Sequence, residues 1–136
     1  MSSPSQMEHA ARIRTRDAQW LAAAAQRDLD GMMAIYAADA EELQPGLPPL
    51  AGHAAIRRFY QGLLDRFPRC RHEFEPRAVT VAAAADLAVV QGIYRFLADT
   101  RRPDEVQVGK FLGVWVHREQ DWWLLRNISN ADHPGP

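Results

Sequence analysis

Residues 106–130 read VQVGKFLGVWVHREQDWWLLRNISN. Two runs rich in β-branched and aromatic residues flank Arg118-Glu119-Gln120-Asp121, a polar four-residue connection. Alternation on both sides predicts strands over about 106–117 and 122–130, joined as a hairpin. With that turn, His117 faces Trp122, Trp115 faces Leu124, Gly113 faces Arg126 and Phe111 faces Ile128. Those residues would share one face of a sheet, with Asn130 beyond them.

Working backwards, period two continues through about 71–82 and 87–98, where Val79, Val81, Val89, Val90, Ile93, Tyr94 and Phe96 supply strand-forming side chains. The first half of the chain changes period. Ile56, Phe59, Tyr60, Leu63, Leu64 and Phe67 fall at i, i+3, i+4, i+7, i+8 and i+11, one apolar stripe of a helix that follows Gly52 and stops at Pro68. Ile13, Trp20, Leu21 and Ala24 predict a first helix over about 8–26. Asp28 is a natural N-cap for a second helix carrying Met32, Met33, Ile35 and Tyr36 and ending near Ala38. A short strand, Glu41 to Gln44, leads into the turn-rich Pro45-Gly46-Leu47-Pro48-Pro49. Residues 1–7 and 131–136 read as frayed ends. Helices first and strands afterwards predict an α+β domain spanning residues 1–136, with its ordered core over about 8–130. Three helices are too few to cover a curved sheet of four to five strands, which leaves a cavity between the layers.

Composition narrows the function. The 136 residues carry a net charge of −1 with both signs dispersed. No basic patch is present to replace the counterions of a nucleic acid or to seat on an anionic membrane. Cys70 is the only cysteine, so no internal disulfide can form. The polar start lacks a signal peptide's apolar stretch, and no run approaches the ~20 apolar residues of a membrane span. Cytoplasmic residence is the expectation. The five histidines are scattered without ligand spacing, and the glycines form no phosphate loop, so neither a metal nor a cofactor is expected.

Four blocks in order carry a resemblance. They are Arg27-Asp28-Leu29-Asp30-Gly31-Met32-Met33-Ala34-Ile35-Tyr36-Ala37-Ala38-Asp39-Ala40, then Pro45-Gly46 with Gly52-His53-Ala54-Ala55-Ile56-Arg57-Arg58-Phe59-Tyr60, then Asp86-Leu87-Ala88-Val89-Val90-Gln91-Gly92-Ile93-Tyr94, and finally Gly109-Lys110-Phe111 with Asp121-Trp122 through Asn130. Together they resemble the SnoaL-like and ketosteroid-isomerase-like families of the nuclear-transport-factor-2-like superfamily. The resemblance implies a cystatin-like cone, three helices on a bent, mostly antiparallel mixed sheet around a pocket. It also implies a homodimer through the outer sheet face. It does not imply one reaction, because the superfamily holds isomerases, cyclases, dehydratases and non-catalytic association domains.

Matching the blocks locates the ketosteroid isomerase positions, whose site is a worked example of a carboxylate base opposite a tyrosine and a protonated aspartate. The base position is Gln44, before Pro45. The tyrosine position is Trp20, eight before Asp28, and the aspartate position falls near Leu112 or Gly113. All three depart from the pattern, which argues against steroid-type isomerisation. Another base is available, since alternation puts Ala40, Glu42 and Gln44 on one face. Glu42 against apolar walls would have a raised pKa and could take a proton. Alternatively Glu42 points outward, or pairs with a basic residue such as Arg126. Arg126, deep opposite Gly113, would hold a ligand carboxylate or else an ion pair to Glu42, Asp17 or Asp39. Trp20, Tyr36, Gln44, Tyr60, Tyr94, Trp115, Arg126 and Asn130 make the expected pocket wall. His53 and His117 read as first-turn and rim residues. His72, Glu73 and Glu75 read as the surface of an edge strand. The expected function is binding of a hydrophobic small molecule with a polar or acidic end, with or without cyclase- or isomerase-like chemistry. The alternative is a non-catalytic association or ligand-sensing module.

Overall fold

The computed structural model describes residues 4–133. Along them run α1 (Pro4–Ala25), α2 (Leu29–Met33), β1 (Tyr36–Leu43), β2 (Leu50–Ala51), α3 (Gly52–Arg66), β3 (Arg71–Val81), β4 (Leu87–Leu97), β5 (Val106–Arg118) and β6 (Asp121–Ala131). The strands form one open sheet in the order β2-β1-β6-β5-β4-β3. β1 runs parallel to β6, and the other pairs are antiparallel. The α+β class and the four long strands agree with the sequence to within a residue or so.

The ends are more regular than the sequence suggested. α1 starts at Pro4, where a missing N–H costs nothing in a first turn. β6 continues to Ala131. Of the two tails read as frayed, residues 1–3 and 134–136 lie outside the described residues. α1 stops where Arg27 adopts a left-handed φ of 56°. Asp28 then caps α2 as expected, its side chain accepting from the Gly31 N–H at 3.1 Å.

α2 is shorter than its apolar run implied, and Tyr36 lies on β1 rather than on a helix. The cause is a long-range partner. Tyr36 pairs with Leu124 of β6, and the Leu124 N–H donates to the Ile35 carbonyl at 2.8 Å. A parallel pairing 88 positions away along the chain has no local signature, so it overrides helix propensity at these residues.

The core between helices and sheet is built on Ile13, Met32 and Ile56, each with no exposure. Burial of each such side chain contributes about 1.5–3 kcal/mol. α3 buries Ile56, Tyr60 and Leu64 as its stripe predicted.

The β5–β6 hairpin holds the main correction. His117 pairs with Trp122 and Trp115 with Leu124, as read from the sequence, but Arg118 pairs with Asp121 as well, so the connection is the two residues Glu119 and Gln120 rather than four. Glu119 and Gln120 both take positive φ, 53° and 64°, which gives the tight turn the strand twist prefers. Past that point the register shifts, and Val114 pairs with Arg126, so Leu125 is an extra residue in β6. A one-residue bulge exchanges the faces of everything beyond it. Gly113 therefore opposes Asn127 rather than Arg126, and Phe111 opposes Ser129 rather than Ile128. Asn127 and Ser129 turn inward, while Arg126, Ile128 and Asn130 turn out.

Two glycines let aromatic rings lie against the sheet. Gly92 pairs across strands with Phe111, and Gly109 pairs with Tyr94. A Cβ on Gly92 would stand 2.8 Å from the Phe111 ring and 2.4 Å from the Glu75 carbonyl oxygen. Backbone cannot yield that distance cheaply, so Gly92→Ala should cost about 1–3 kcal/mol through overpacking, read as a lower urea midpoint at an unchanged m-value.

Candidate functional site

The helices and the inner sheet face bound a half-open cavity of about 360 Å³. That size lies within the range of small-molecule sites. Its walls are mostly aromatic, with Trp20 from α1 at the centre. The Trp20 ring stacks on Phe74 at 4.9 Å and meets Tyr60 and His72 edge-on at 5.5 and 5.1 Å. Of the expected wall, Trp20, Tyr36, Gln44, Tyr60, Tyr94 and Trp115 line this cavity.

Arg126 and Asn130 do not. The Leu125 bulge carries both to the other face. There Arg126 Nε lies 3.0 Å from Glu41 Oε2, and its Nη1 donates to the Asp39 carbonyl at 3.1 Å. The ion pair considered for Arg126 thus exists, but with Glu41, its neighbour across the parallel β1–β6 pairing. Asn130 is exposed opposite Lys110.

Glu42 sits behind the wall rather than on it. It has no exposure. Tyr36 donates to its Oε1 at 2.5 Å and Tyr60 at 3.2 Å. Gln44 donates to Oε2 at 3.0 Å, and the Asn127 amide bridges both oxygens at 3.2 and 3.3 Å. All four donors line the cavity. Burial raises the Glu42 pKa, and the hydrogen bonds from Tyr36, Asn127, Gln44 and Tyr60 act against that rise. Burial also holds the Tyr36 and Tyr60 phenols well above their ordinary value, with the Glu42 charge adding to it. This arrangement fixes the direction of two hydroxyls and two amides.

A second polar cluster adjoins it. Asp17 and Trp20 sit one turn apart on α1, and both are at least nine-tenths buried. His72 comes from β3, opposite Phe96. All three line the cavity. Asp17 Oδ2, Trp20 Nε1 and His72 Nε2 are each buried without a hydrogen-bond partner among the described residues. Burial pushes the Asp17 carboxyl up to about 7, opposed by the Arg14 charge. Burial alone lowers His72 to about 4.

Sequence reasoning read His72 as surface and Asp17 only as an ion-pair partner. Both had a signal. Ile13, Asp17, Trp20 and Ala24 are spaced i, i+4, i+7 and i+11, so Asp17 lies on the buried stripe. His72 shares its strand face with Phe74. Asn127 had none, because only the bulge turns it inward. His53, expected in the first helical turn, is exposed there, and its Nε2 lies 2.8 Å from the Tyr36 carbonyl oxygen. His117 is half-buried against Trp122, their ring centroids 4.9 Å apart. Among the described residues, no three His, Cys, Asp or Glu side chains come together as a metal-holding group.

Residues 18–123 match the model of the SnoaL-like domain. The chain belongs to the SnoaL-like family. No curated protein shows significant similarity to it. Among solved structures it is similar to an NTF2-like protein of unknown function from Pseudomonas putida KT2440, at 19% identity and TM-score 0.81 over 94% of this chain and 89% of that one. A cystatin-like domain of unknown function from Nostoc punctiforme aligns at 18% identity and TM-score 0.81, over 98% and 81%. A ketosteroid isomerase-like protein from Erwinia carotovora atroseptica aligns at 20% identity and TM-score 0.69, over 93% and 98%. These likenesses show the cystatin-like, NTF2-like fold for this SnoaL-like chain. No helix among its described residues is long and apolar enough to cross a membrane.

Two outcomes follow from the carboxyls. Glu42→Ala strands its four donors in a buried site and should cost about 3 kcal/mol or more in chemical denaturation, whereas Glu42→Gln keeps acceptor capacity and costs less. Asp17 binds its proton more tightly folded than unfolded, so its contribution to stability falls as pH rises from about 4 towards 7. His72 acts oppositely, its contribution falling as pH drops from about 6.5 towards 4. Above pH 6.5 the His72 contribution is constant, while that of Asp17 still changes, opposed by the fixed charge of Arg14. Asp17→Asn should therefore be more stable than the parent at pH 8, with a ceiling of about 4 kcal/mol, and the advantage should shrink at pH 6.

Proposed function

We propose that this SnoaL-like protein binds an uncharged, largely aromatic small molecule in the cavity, its polar group meeting the Tyr36 and Tyr60 hydroxyls held by Glu42. The observation that carries the reading is the half-open aromatic cavity of about 360 Å³ backed by a fully buried, fully hydrogen-bonded carboxylate. Tyr36, Gln44, Tyr60 and Asn127 all line the cavity, and each is held in place by a bond to Glu42 behind the wall. The acidic ligand end expected from the sequence depended on Arg126. With Arg126 outside, neither lysine nor arginine lines the cavity, and a ligand carboxylate would have no cation to offset its desolvation. The polar end is therefore a neutral one. Glu42, ringed by donors, acts as a positioning residue for the two phenols rather than as an exposed base.

The neighbour named ketosteroid isomerase-like supports a small-molecule role only as an analogy of fold. The same reading puts a second copy of the chain on the outer sheet face. Leu112 and Ile128 support it, facing each other across β5 and β6 and exposed at 40% and 45%.

Native mass spectrometry of protein taken from its host extract should show a bound small molecule that a denatured control lacks. Naphthalene should bind saturably, followed by tryptophan fluorescence. Leu63→Trp, which fills the cavity from α3, should abolish that binding while Tm stays within about 4 °C. Failure of both binding measurements would favour the association module. Light scattering should give a dimer, and Leu112→Glu should convert it to monomer; a monomer at micromolar concentration in the parent would refute the outer-face assembly.

A further inference from the structure

The Glu42 cluster is satisfied within the protein. The neighbouring cluster is not. Asp17 Oδ2, Trp20 Nε1 and His72 Nε2 are all buried and all without a partner among the described residues, and the three residues that carry them line the cavity. A buried polar atom left unpaired costs about 1–3 kcal/mol, so three in one place are a standing penalty that a bound group can remove. Their chemistry restricts that group. An indole N–H only donates, and an ionised carboxylate only accepts. When Asp17 is ionised, the partner must therefore accept from Trp20 and donate to the carboxylate. A carbonyl oxygen cannot donate, and an ammonium cannot accept. A hydroxyl does both, and it can meet His72 Nε2 in either tautomer.

We propose that Asp17, Trp20 and His72 form a second polar subsite that receives a hydroxyl group, alcohol or phenol, on the ligand. This rests on the reading that the cavity binds a small molecule, and it adds the class of group that the α1 side of the cavity selects. The hydroxyl donates to Asp17 Oδ2 and accepts from Trp20 Nε1–H. Asp17 titrates near neutrality, and a hydroxyl suits both of its forms: it accepts from the protonated carboxyl and donates to the ionised one. The edge-on Trp20–His72 contact at 5.1 Å keeps the imidazole beside the indole that donates. The stacked Trp20–Phe74 pair at 4.9 Å fixes the plane in which that N–H points.

The test compares 2-naphthol with naphthalene, which has the same ring system without the hydroxyl. Both are titrated by tryptophan fluorescence and isothermal calorimetry at pH 7. The parent protein should prefer 2-naphthol by about tenfold or more. Asp17→Leu and Trp20→Phe should each reduce the preference to about twofold or less, the two affinities being compared within each variant so that a general change in cavity binding cancels from the ratio. Trp20→Phe removes the donor while keeping an aromatic ring, so it carries the test should Asp17→Leu fail to fold. If both probes bind the parent equally, the cavity reading stands and the hydroxyl subsite is refuted. A preference that survives in both variants places the hydroxyl elsewhere and also refutes it. If neither probe binds, the cavity reading falls and the subsite falls with it.

Discussion

The buried carboxylate of Glu42 is the constraint on which the functional half of the molecule depends. Its partners come from separate places. Tyr36 begins β1, Gln44 follows that strand, Tyr60 lies on α3, and Asn127 sits past the bulge in β6. A carboxylate with no exposure can persist only if these arrive together. Glu42 thus ties the parallel β1–β6 pairing to the helix above it. It also explains why the inner face tolerates so many polar tips among aromatic rings. The tips of Tyr36, Gln44, Tyr60 and Asn127 are each directed by a bond to Glu42.

The sequence disclosed the architecture well and the site less evenly. Helix α3 and the four long strands were legible because their apolar periods run over many residues. The hairpin turn was legible because its polar residues are flanked by unambiguous strands. Two features escaped. The start of β1 at Tyr36 depends on Leu124, a partner far along the chain, and local pattern cannot see it. The bulge at Leu125 adds one residue to one strand, and the segment Trp122 to Ile128 is apolar enough on both faces to hide the slip. That single residue decides whether Arg126 or Asn127 meets a ligand. It moved the expected charge of the cavity from cationic to neutral.

The interior makes neutrality general. Burial raises the pKa of Asp17 and of Glu42 and lowers that of His72. Each shift favours the uncharged form, the common consequence of a low-dielectric wall with few compensating charges. Cations near the site are committed elsewhere. Arg16 donates to the Trp122 and Ala34 carbonyls at 3.1 and 3.0 Å, and Arg12 pairs with Asp121 at 2.9 Å. What remains towards the cavity is hydrogen-bonding direction without net charge, and such a site selects by the placement of donors and acceptors.

That bears on the likeness to ketosteroid isomerases. The positions that would carry their chemistry hold Gln44, Trp20 and the Leu112–Gly113 pair, and Leu112 is exposed on the outer face. Yet the cavity is not poor in carboxyls. Glu42 stands two residues before Gln44, and Asp17 stands three before Trp20 on the same helix face. Both are at least nine-tenths buried. A carboxyl moved by one turn or one strand repeat meets different neighbours. Glu42 is enclosed by donors, two of them the Tyr36 and Tyr60 phenols. Asp17 keeps an oxygen, and Trp20 an indole N–H, without a partner among the described residues. The shared fold supplies the cavity walls, and these two displacements give this cavity a polar lining of its own.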